Sequence, residues 1–289
     1  MIGRFAPSPT GDLHFGSLVS AVGSYLAARS AGGLWLLRIE DIDPPREIPG
    51  SADRIIDDLN RLGMVPEGPV LYQSNRLDAY QAAVDQLLEK GLAYPCACSR
   101  KDLSASGKYA GTCRNGIPPG KKPRSIRFRV EAGACVFEDK LQGLISESPA
   151  DFGGDFIIRR ADGLFAYQLA VVVDDDFQRV TQVVRGSDLL DSTSRQICLQ
   201  KALGLVSPDY MHLPVVISAD GKKLSKRIQT DPVKHQDPAS AVEQALKYLG
   251  QNPPPGLSLT GLWEWALDHW NIDLIPRAKT ILPNDIQTG

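Results

Sequence analysis

The sequence has no long uncharged run of apolar residues, so no segment reads as a membrane-spanning helix. Its first residues lack a basic stretch followed by an apolar core, so no export signal is read there. Both absences favour the cytoplasm. Cysteine is sparse and odd in number, five in 289 residues, which fits a reducing compartment better than a disulfide framework. The four histidines, His14, His212, His235 and His269, are scattered, and none stands near the cysteines. No internal repeat is found, and a net charge of −2 does not announce a nucleic-acid binder. What remains is an ordinary globular composition, 43% hydrophobic and 23% charged, long enough for one large domain or two modest ones.

The organising stretch runs from Ile2 to Asp43. A short apolar strand, Ile2 to Ala6, must stop at Pro7 and Pro9, which cannot continue a strand ladder. Gly11 and Gly16 lend the following loop backbone freedom. From Leu18, apolar residues recur at helical spacing (Val22, Tyr25, Leu26) until Gly32-Gly33, and Leu34 to Ile39 reads as a second strand ending in Glu40. Strand, glycine-containing loop, helix, strand is the unit that binds nucleotides in doubly wound sheets, where a helix N-terminus meets phosphate. His14 in the loop adds a neutral donor. Alone, the stretch is equally an ordinary turn before a helix.

Further on, Ser51 is a plausible cap for a helix with Ile55, Ile56, Leu59 and Leu62 on one face, and a second helix spans about Asp78 to Lys90. Leu92 to Ala97 and Ser125 to Val130 read as strands, and Val136 to Ile145 as more sheet. Asp155 to Arg160, the turn Asp162-Gly163 and Phe165 to Val173 suggest a hairpin returning to the main sheet. Asp174-Asp175-Asp176 is either a magnesium-holding cluster or a solvated loop. Gln182 to Asp188 is strand leading into a helix through Arg195 to Leu203, and Met211 to Ile217 is the last buried strand. Ala239 to Leu249 and Thr260 to Trp270 are helices, the second with Leu262, Trp263, Ala266 and Trp270 as a docking face.

Two local clusters stand out between these elements. From Arg100 to Arg129 there are nine cations and one acid, Asp102, a patch that either contacts phosphates or forms a solvated insertion. Cys96 and Cys98 just before it and Cys113 inside it fall within eighteen residues, three thiolates against the four ligands of a closed tetrahedral zinc site. Tyr109 is the best-spaced fourth candidate; reduced buried thiols are the alternative. Cys135 and Cys198 fit no ligand spacing and read as core. A third cluster follows the last strand: Asp220-Gly221 and then four cations in Lys222 to Arg227, which alone is a solvated basic loop.

Taken together, His14-Phe15-Gly16-Ser17 and Lys223-Leu224-Ser225-Lys226-Arg227 resemble the paired signatures of class I aminoacyl-tRNA synthetases, His-Ile-Gly-His and Lys-Met-Ser-Lys-Ser. Arg4-Phe5-Ala6-Pro7-Ser8-Pro9-Thr10-Gly11 and Arg38-Ile39-Glu40-Asp41-Ile42-Asp43 are similar to the glutamyl branch, and the likeness covers roughly the first 230 residues. The resemblance implies an α/β, doubly wound Rossmann-like parallel sheet in residues 1–95 and 155–228. An inserted α+β zinc subdomain would occupy 96–154, where the family grips an acceptor stem, and a helical extension 229–289. It implies glutamate binding by Arg4, Ala6, Ser8, Glu40, Tyr167 and Arg185, and ATP binding by His14, Gly16, Ser17 and Lys226. Lys223 and Ser225 would join His14 and Lys226 in catalysis. It also implies one structural zinc on Cys96, Cys98, Tyr109 and Cys113, a pattern of shortened members of the branch, and magnesium carried on ATP.

Full-length glutamyl enzymes continue into an anticodon-reading domain, whereas about sixty residues follow the lysine loop here, too few for one. The likeness is thus to the stand-alone cores. It implies tRNA-independent activation of L-glutamate by ATP, then transfer to queuosine in the anticodon stem-loop of tRNA(Asp). The enzyme is expected to be a cytoplasmic monomer. A truncated synthetase charging tRNA(Glu), an inactive tRNA- or ATP-binding regulator, and a small-molecule nucleotidyltransferase are the alternatives. Ser17 in place of the second signature histidine and Arg227 in place of the final serine depart from the pattern.

Overall fold

A computed structural model of the protein describes residues 1–103, 108–216 and 233–281. Strand β1 (Ile2–Phe5) is followed by helix α1 (Phe15–Arg29) and strand β2 (Leu34–Ile39). Gly32, at φ +64°, takes the left-handed turn that lets the chain leave α1 and re-enter the sheet. Trp35, Leu37 and Ile39 on one face of β2 and Arg38 on the other are almost wholly buried, as expected of a strand covered on both faces. Helix α2 (Ser51–Arg61), strand β3 (Leu71–Tyr72), helix α3 (Leu77–Glu89) and strand β4 (Ala93–Cys96) come next. Strands β5 (Ser125–Phe128), β6 (Cys135–Asp139) and β7 (Gly143–Glu147), the short helix α4 (Pro149–Phe152) and β8 (Phe156–Arg159) complete the middle of the chain. Helix α5 (Tyr167–Phe177), β9 (Gln182–Gly186), α6 (Leu190–Leu203), β10 (Asp209–Leu213) and β11 (Val215–Val216) lead to α7 (Pro238–Tyr248), α8 (Leu259–His269) and β12 (Thr280–Ile281).

Parallel pairing of β1 with β2 and of β2 with β3 builds one half of the central sheet. Parallel pairing of β9 with β10 and of β10 with β6 builds the other. The halves meet where the Thr181 amide donates to the Ile2 carbonyl at 2.9 Å, beside the starts of β1 and β9. The chain therefore leaves β1 to one side through β2 and returns on the other side as β9. In open α/β sheets such a reversal of strand order leaves a crevice beyond the C-terminal strand ends, where ligands bind.

The antiparallel strands β4, β5 and β8 form a separate sheet. Residues 96–154 were expected to stand apart from the main sheet as one unit. Instead β6 lies beside β10, with Asp139 opposite Tyr210, and β7 extends that edge antiparallel to β6. Apolar Leu141, after β6, is buried in the main core with Val184 and Met211, which draws this hairpin to the sheet.

Two other readings need correcting. Phe165 to Val173 is not a strand of a hairpin: Tyr167 onward is helix α5, with Leu169, Ala170 and Val172 buried in one core with residues of α3 and α6. Its valines favour strand intrinsically, and packing on neighbouring helices overrides that preference. Ser51 does not cap α2. Gly50 holds that position at φ +71°, and Ser51 Oγ donates to the Gly11 carbonyl at 2.6 Å, pinning the loop after β1.

The C-terminal helices belong to the main core. Trp263 of α8 donates its indole N–H to the Leu62 carbonyl at 2.8 Å. A Cβ on Gly23 of α1 would come within 2.6 Å of Leu213 Cδ1, so the glycine leaves room for the Leu213 side chain where α1 packs on β10. Among the described residues no helix is long and apolar enough to cross a membrane.

Candidate active site

A cavity of about 700 Å³ opens beyond the C-terminal ends of β1 and β9. It is lined by Arg4, Ala6, Ser8, Glu40, Tyr167 and Arg185, and also by His14, Gly16 and Ser17. These are all of the expected glutamate and nucleotide contacts that fall among the described residues. Lys223, Ser225 and Lys226 lie outside the described residues. His14 caps α1: the Ser17 amide donates to its Nδ1 at 3.2 Å. That acceptor role leaves the ring proton on Nε2, 3.0 Å from Ser17 Oγ. The cavity thus meets a helix N-terminus, where free amides favour anions.

Two acids at the end of α5 organise one flank. Asp175 accepts Arg4 Nε at 3.0 Å and stands 2.8 Å from Arg38 Nη2. Burial alone would push the Asp175 carboxyl up, but Arg4 and Arg38 outweigh it and hold it below the usual carboxylate range. Asp174 accepts Gln73 Nε2 at 2.8 Å, Arg76 Nε at 2.6 Å and the Tyr80 hydroxyl at 2.6 Å. Neither expected role for the acidic run survives: Asp174 and Asp175 are buried and filled by protein donors, so they are neither a metal cluster nor a solvated loop. Glu40 fares differently. Arg38 comes only to 3.6 Å of its Oε1, which is buried with no hydrogen-bond donor. Burial dominates over the pull of Arg38 and Arg4 and raises the Glu40 carboxyl to about 7. A cavity-lining carboxylate short of a donor is suited to a cationic ligand group.

Arg185, at the end of β9, is held by neutral groups. Its Nε donates to His212 Nε2 at 3.0 Å, Nη2 to Thr193 Oγ1 at 2.8 Å and Nη1 to the Tyr167 hydroxyl at 3.2 Å. His212 Nδ1 faces Asp139 Oδ2 at 2.6 Å. Sequence reasoning missed His212 and Asp139 and misassigned Asp174 and Asp175. A signal existed only for His212, a polar residue inside a stretch that reads as a buried strand.

The thiols form a second centre. The Sγ atoms of Cys96, Cys98 and Cys113 lie within 4.8 Å of one another, all buried, and Cys98 and Cys113 are 3.7 Å apart. The Tyr109 hydroxyl is 3.5 Å from Cys96 Sγ and 3.9 Å from Cys98 Sγ. Tetrahedral zinc with bonds of about 2.3 Å to sulfur and about 2.0 Å to oxygen has ligand–ligand edges of about 3.5–3.8 Å, so the donor set fits the metal. Arg127 donates to Cys96 Sγ at 3.3 Å and stacks over the Tyr109 ring at 3.9 Å, a cation beside an anionic ligand set. Arg114 and Arg129 are likewise tied to backbone carbonyls. Among the described side chains of the basic segment, Lys101, Lys121, Lys122 and Arg124 are the exposed cations.

Residues 1–251 match the catalytic domain of the class I tRNA synthetases for glutamate and glutamine (E and Q), which makes the protein a class I aminoacyl-tRNA synthetase-like ligase. Among solved structures, a glutamate tRNA ligase from Elizabethkingia meningosepticum in complex with its amino acid superposes with a TM-score of 0.81 at 26% identity. The match covers 96% of this chain and 66% of that one. Glutamyl-Q tRNA(Asp) synthetases are more similar in sequence: that of Dechloromonas aromatica is 51% identical over 97% of both chains. That of Pseudomonas aeruginosa PAO1 is 48% identical, again over 97% of both. The chain belongs to this glutamyl-Q tRNA(Asp) synthetase family.

Proposed function

We propose that the protein activates L-glutamate with ATP without requiring tRNA, and transfers the glutamyl group to queuosine in the anticodon of tRNA(Asp). The observation that carries this reading is the single rim on which Arg4, Glu40 and Arg185 face one cavity beside the N-terminus of α1. Glutamate offers two carboxylates and an ammonium. Arg185, still charged and reaching the cavity through Nη1, matches a carboxylate, and Glu40, short of a donor, matches the ammonium. One oxygen of the α-carboxylate attacks the α-phosphorus of ATP, pyrophosphate leaves, and a mixed anhydride with AMP forms. A hydroxyl of the queuosine cyclopentenediol then attacks the activated carbonyl, loses its proton and expels AMP, leaving an ester.

Charge that builds on phosphoryl oxygens during the first step meets the α1 amides and the His14 N–H, already oriented before substrate binds. Lys223, Ser225 and Lys226 are assigned to the phosphates by their place in the signature. Magnesium, carried in on ATP, would neutralise phosphate charge. Zinc on Cys96, Cys98, Cys113 and Tyr109 would be structural, tying β4 to the loop that bears Tyr109 and Cys113.

Glutamate-dependent ATP–pyrophosphate exchange without tRNA tests the first step; exchange at background rejects it. Labelled glutamate offered to tRNA(Asp) with and without queuosine tests the second. Equal labelling of both forms, or labelling of the 3′ end of tRNA(Glu), rejects the modified-base acceptor. Metal analysis is expected to find one zinc per chain, lost in Cys98→Ser.

A further inference from the structure

We infer that His212 and Asp139 are positioning residues for Arg185: a relay whose contact with the guanidinium is a neutral imidazole, which fixes it without pairing its positive charge directly and leaves that charge for a substrate carboxylate. Arg185 can only donate, so its 3.0 Å contact makes His212 Nε2 the acceptor. The ring proton must then sit on Nδ1, where Asp139 Oδ2 accepts it at 2.6 Å. Asp139 Oδ1 in turn accepts the amides of Leu141 at 3.0 Å, Gln142 at 2.9 Å and His212 at 3.2 Å. The aspartate is thereby anchored in the turn after β6, and His212 is fully buried. The Tyr210 ring, nearly parallel to the imidazole at 6.1 Å between centroids, helps set its plane. Thr193 from α6 takes Nη2 at 2.8 Å. Two edges of the guanidinium are thus fixed by groups without net charge, and Nη1 reaches the Tyr167 hydroxyl at the cavity. A carboxylate in place of His212 would hold Arg185 equally well but would neutralise it.

This inference rests on the proposed role of Arg185 in binding glutamate, and the test separates the two. In wild-type protein with 15N-labelled histidine, NMR is expected to show His212 neutral and protonated at Nδ1. The Nε2–H tautomer or an imidazolium would overturn the relay, and this readout depends on no variant folding. In ATP–pyrophosphate exchange, His212→Phe, which removes the acceptor, is expected to raise the glutamate KM about tenfold with the ATP KM unchanged. His212→Gln, which restores an acceptor, is expected to recover part of the loss. Unchanged glutamate KM in His212→Phe beside a large rise in Arg185→Ala overturns the relay and keeps the role of Arg185. Unchanged glutamate KM in Arg185→Ala overturns both. Equal loss of affinity for glutamate and ATP in His212→Phe reduces His212 to a packing residue and also overturns the relay.

Discussion

Arg4 and Arg185 line one cavity from the neighbouring strands β1 and β9, both almost fully buried, and the protein holds them in opposite ways. On the β1 side, Arg4 and Arg38 converge on the Asp175 carboxylate. On the β9 side, Arg185 rests on an imidazole and two hydroxyls. A guanidinium that shares a carboxylate is anchored and partly neutralised. One held by neutral acceptors is anchored and still charged. The first arrangement makes a rigid wall; the second leaves a carboxylate receptor. One rim can thus be both stable and poised for an anionic substrate.

The wall should break most expensively. Asp175→Ala strands Arg4 and Arg38 in a buried setting without their shared partner, and breaking a buried pair in this way costs about 3–5 kcal/mol. Urea unfolding is the measurement; a loss below about 1 kcal/mol would mean that the β1 flank is not held by its ion pairs. The receptor flank should respond in affinity instead. Arg185→Lys keeps a cation and loses the planar fork, so kcat/KM for glutamate is expected to fall about 10- to 100-fold. If Arg185→Lys binds glutamate normally in exchange assays, charge alone suffices and the fixed fork is irrelevant.

How much of this was legible differs between the flanks for a physical reason. The β1 strand, its proline-broken loop and the start of α1 are contiguous, so Arg4, His14 and Glu40 could be placed on one rim from local signals, while Ala6 and Ser8 came from the resemblance alone. Arg185 was legible as a strand-end arginine. What holds these residues was not. Asp175 is 171 positions from Arg4, and Asp139 is 73 positions from His212; no periodicity links partners brought together only by the sheet. The acidic run was also hidden by the misread of α5, where Val171 to Val173 imitate a strand and make Asp174 and Asp175 look like a loop rather than the last turn of a buried helix. The edge hairpin of β6 and β7 was assigned to the insertion because its sequence neighbours are there, while its pairing partner, β10, lies some seventy residues on.

Glu40 lines the same cavity as the two arginines, and pH should sharpen the contrast. Its carboxyl is raised from an ordinary 4.5 to about 7 by burial, against the opposing pull of Arg38 and Arg4. The native state therefore favours protonated Glu40. The stability this contributes is complete below about 4.5 and is lost as pH rises towards 7. Binding an ammonium needs the opposite, ionised form. The glutamate KM is thus expected to fall by up to about tenfold between about pH 6 and about pH 8, and to flatten in Glu40→Gln. A KM that rises over that interval would place the ammonium elsewhere.

The smallest expected effect lies at the cavity mouth, where the same chemistry meets water. Arg54 Nε is 2.6 Å from Asp12 Oδ1 and Lys234 Nζ is 2.8 Å from Oδ2, distances as short as those around Asp175. Lys234 and then Arg54 draw the Asp12 carboxyl below its ordinary value. But Arg54 is 40% exposed and Lys234 39%, against 3% for Arg4. In high dielectric the attraction is weak, side-chain ordering opposes it, and salt screens it. Arg54→Ala is therefore expected to change unfolding free energy by less than about 1 kcal/mol, with the difference shrinking further in about 1 M salt. Thermal unfolding of Arg54→Ala and Asp175→Ala side by side, at low and high salt, measures how far burial rather than contact distance sets the strength of these pairs. Equal losses in the two variants would dissolve the distinction between a structural wall and a solvated mouth.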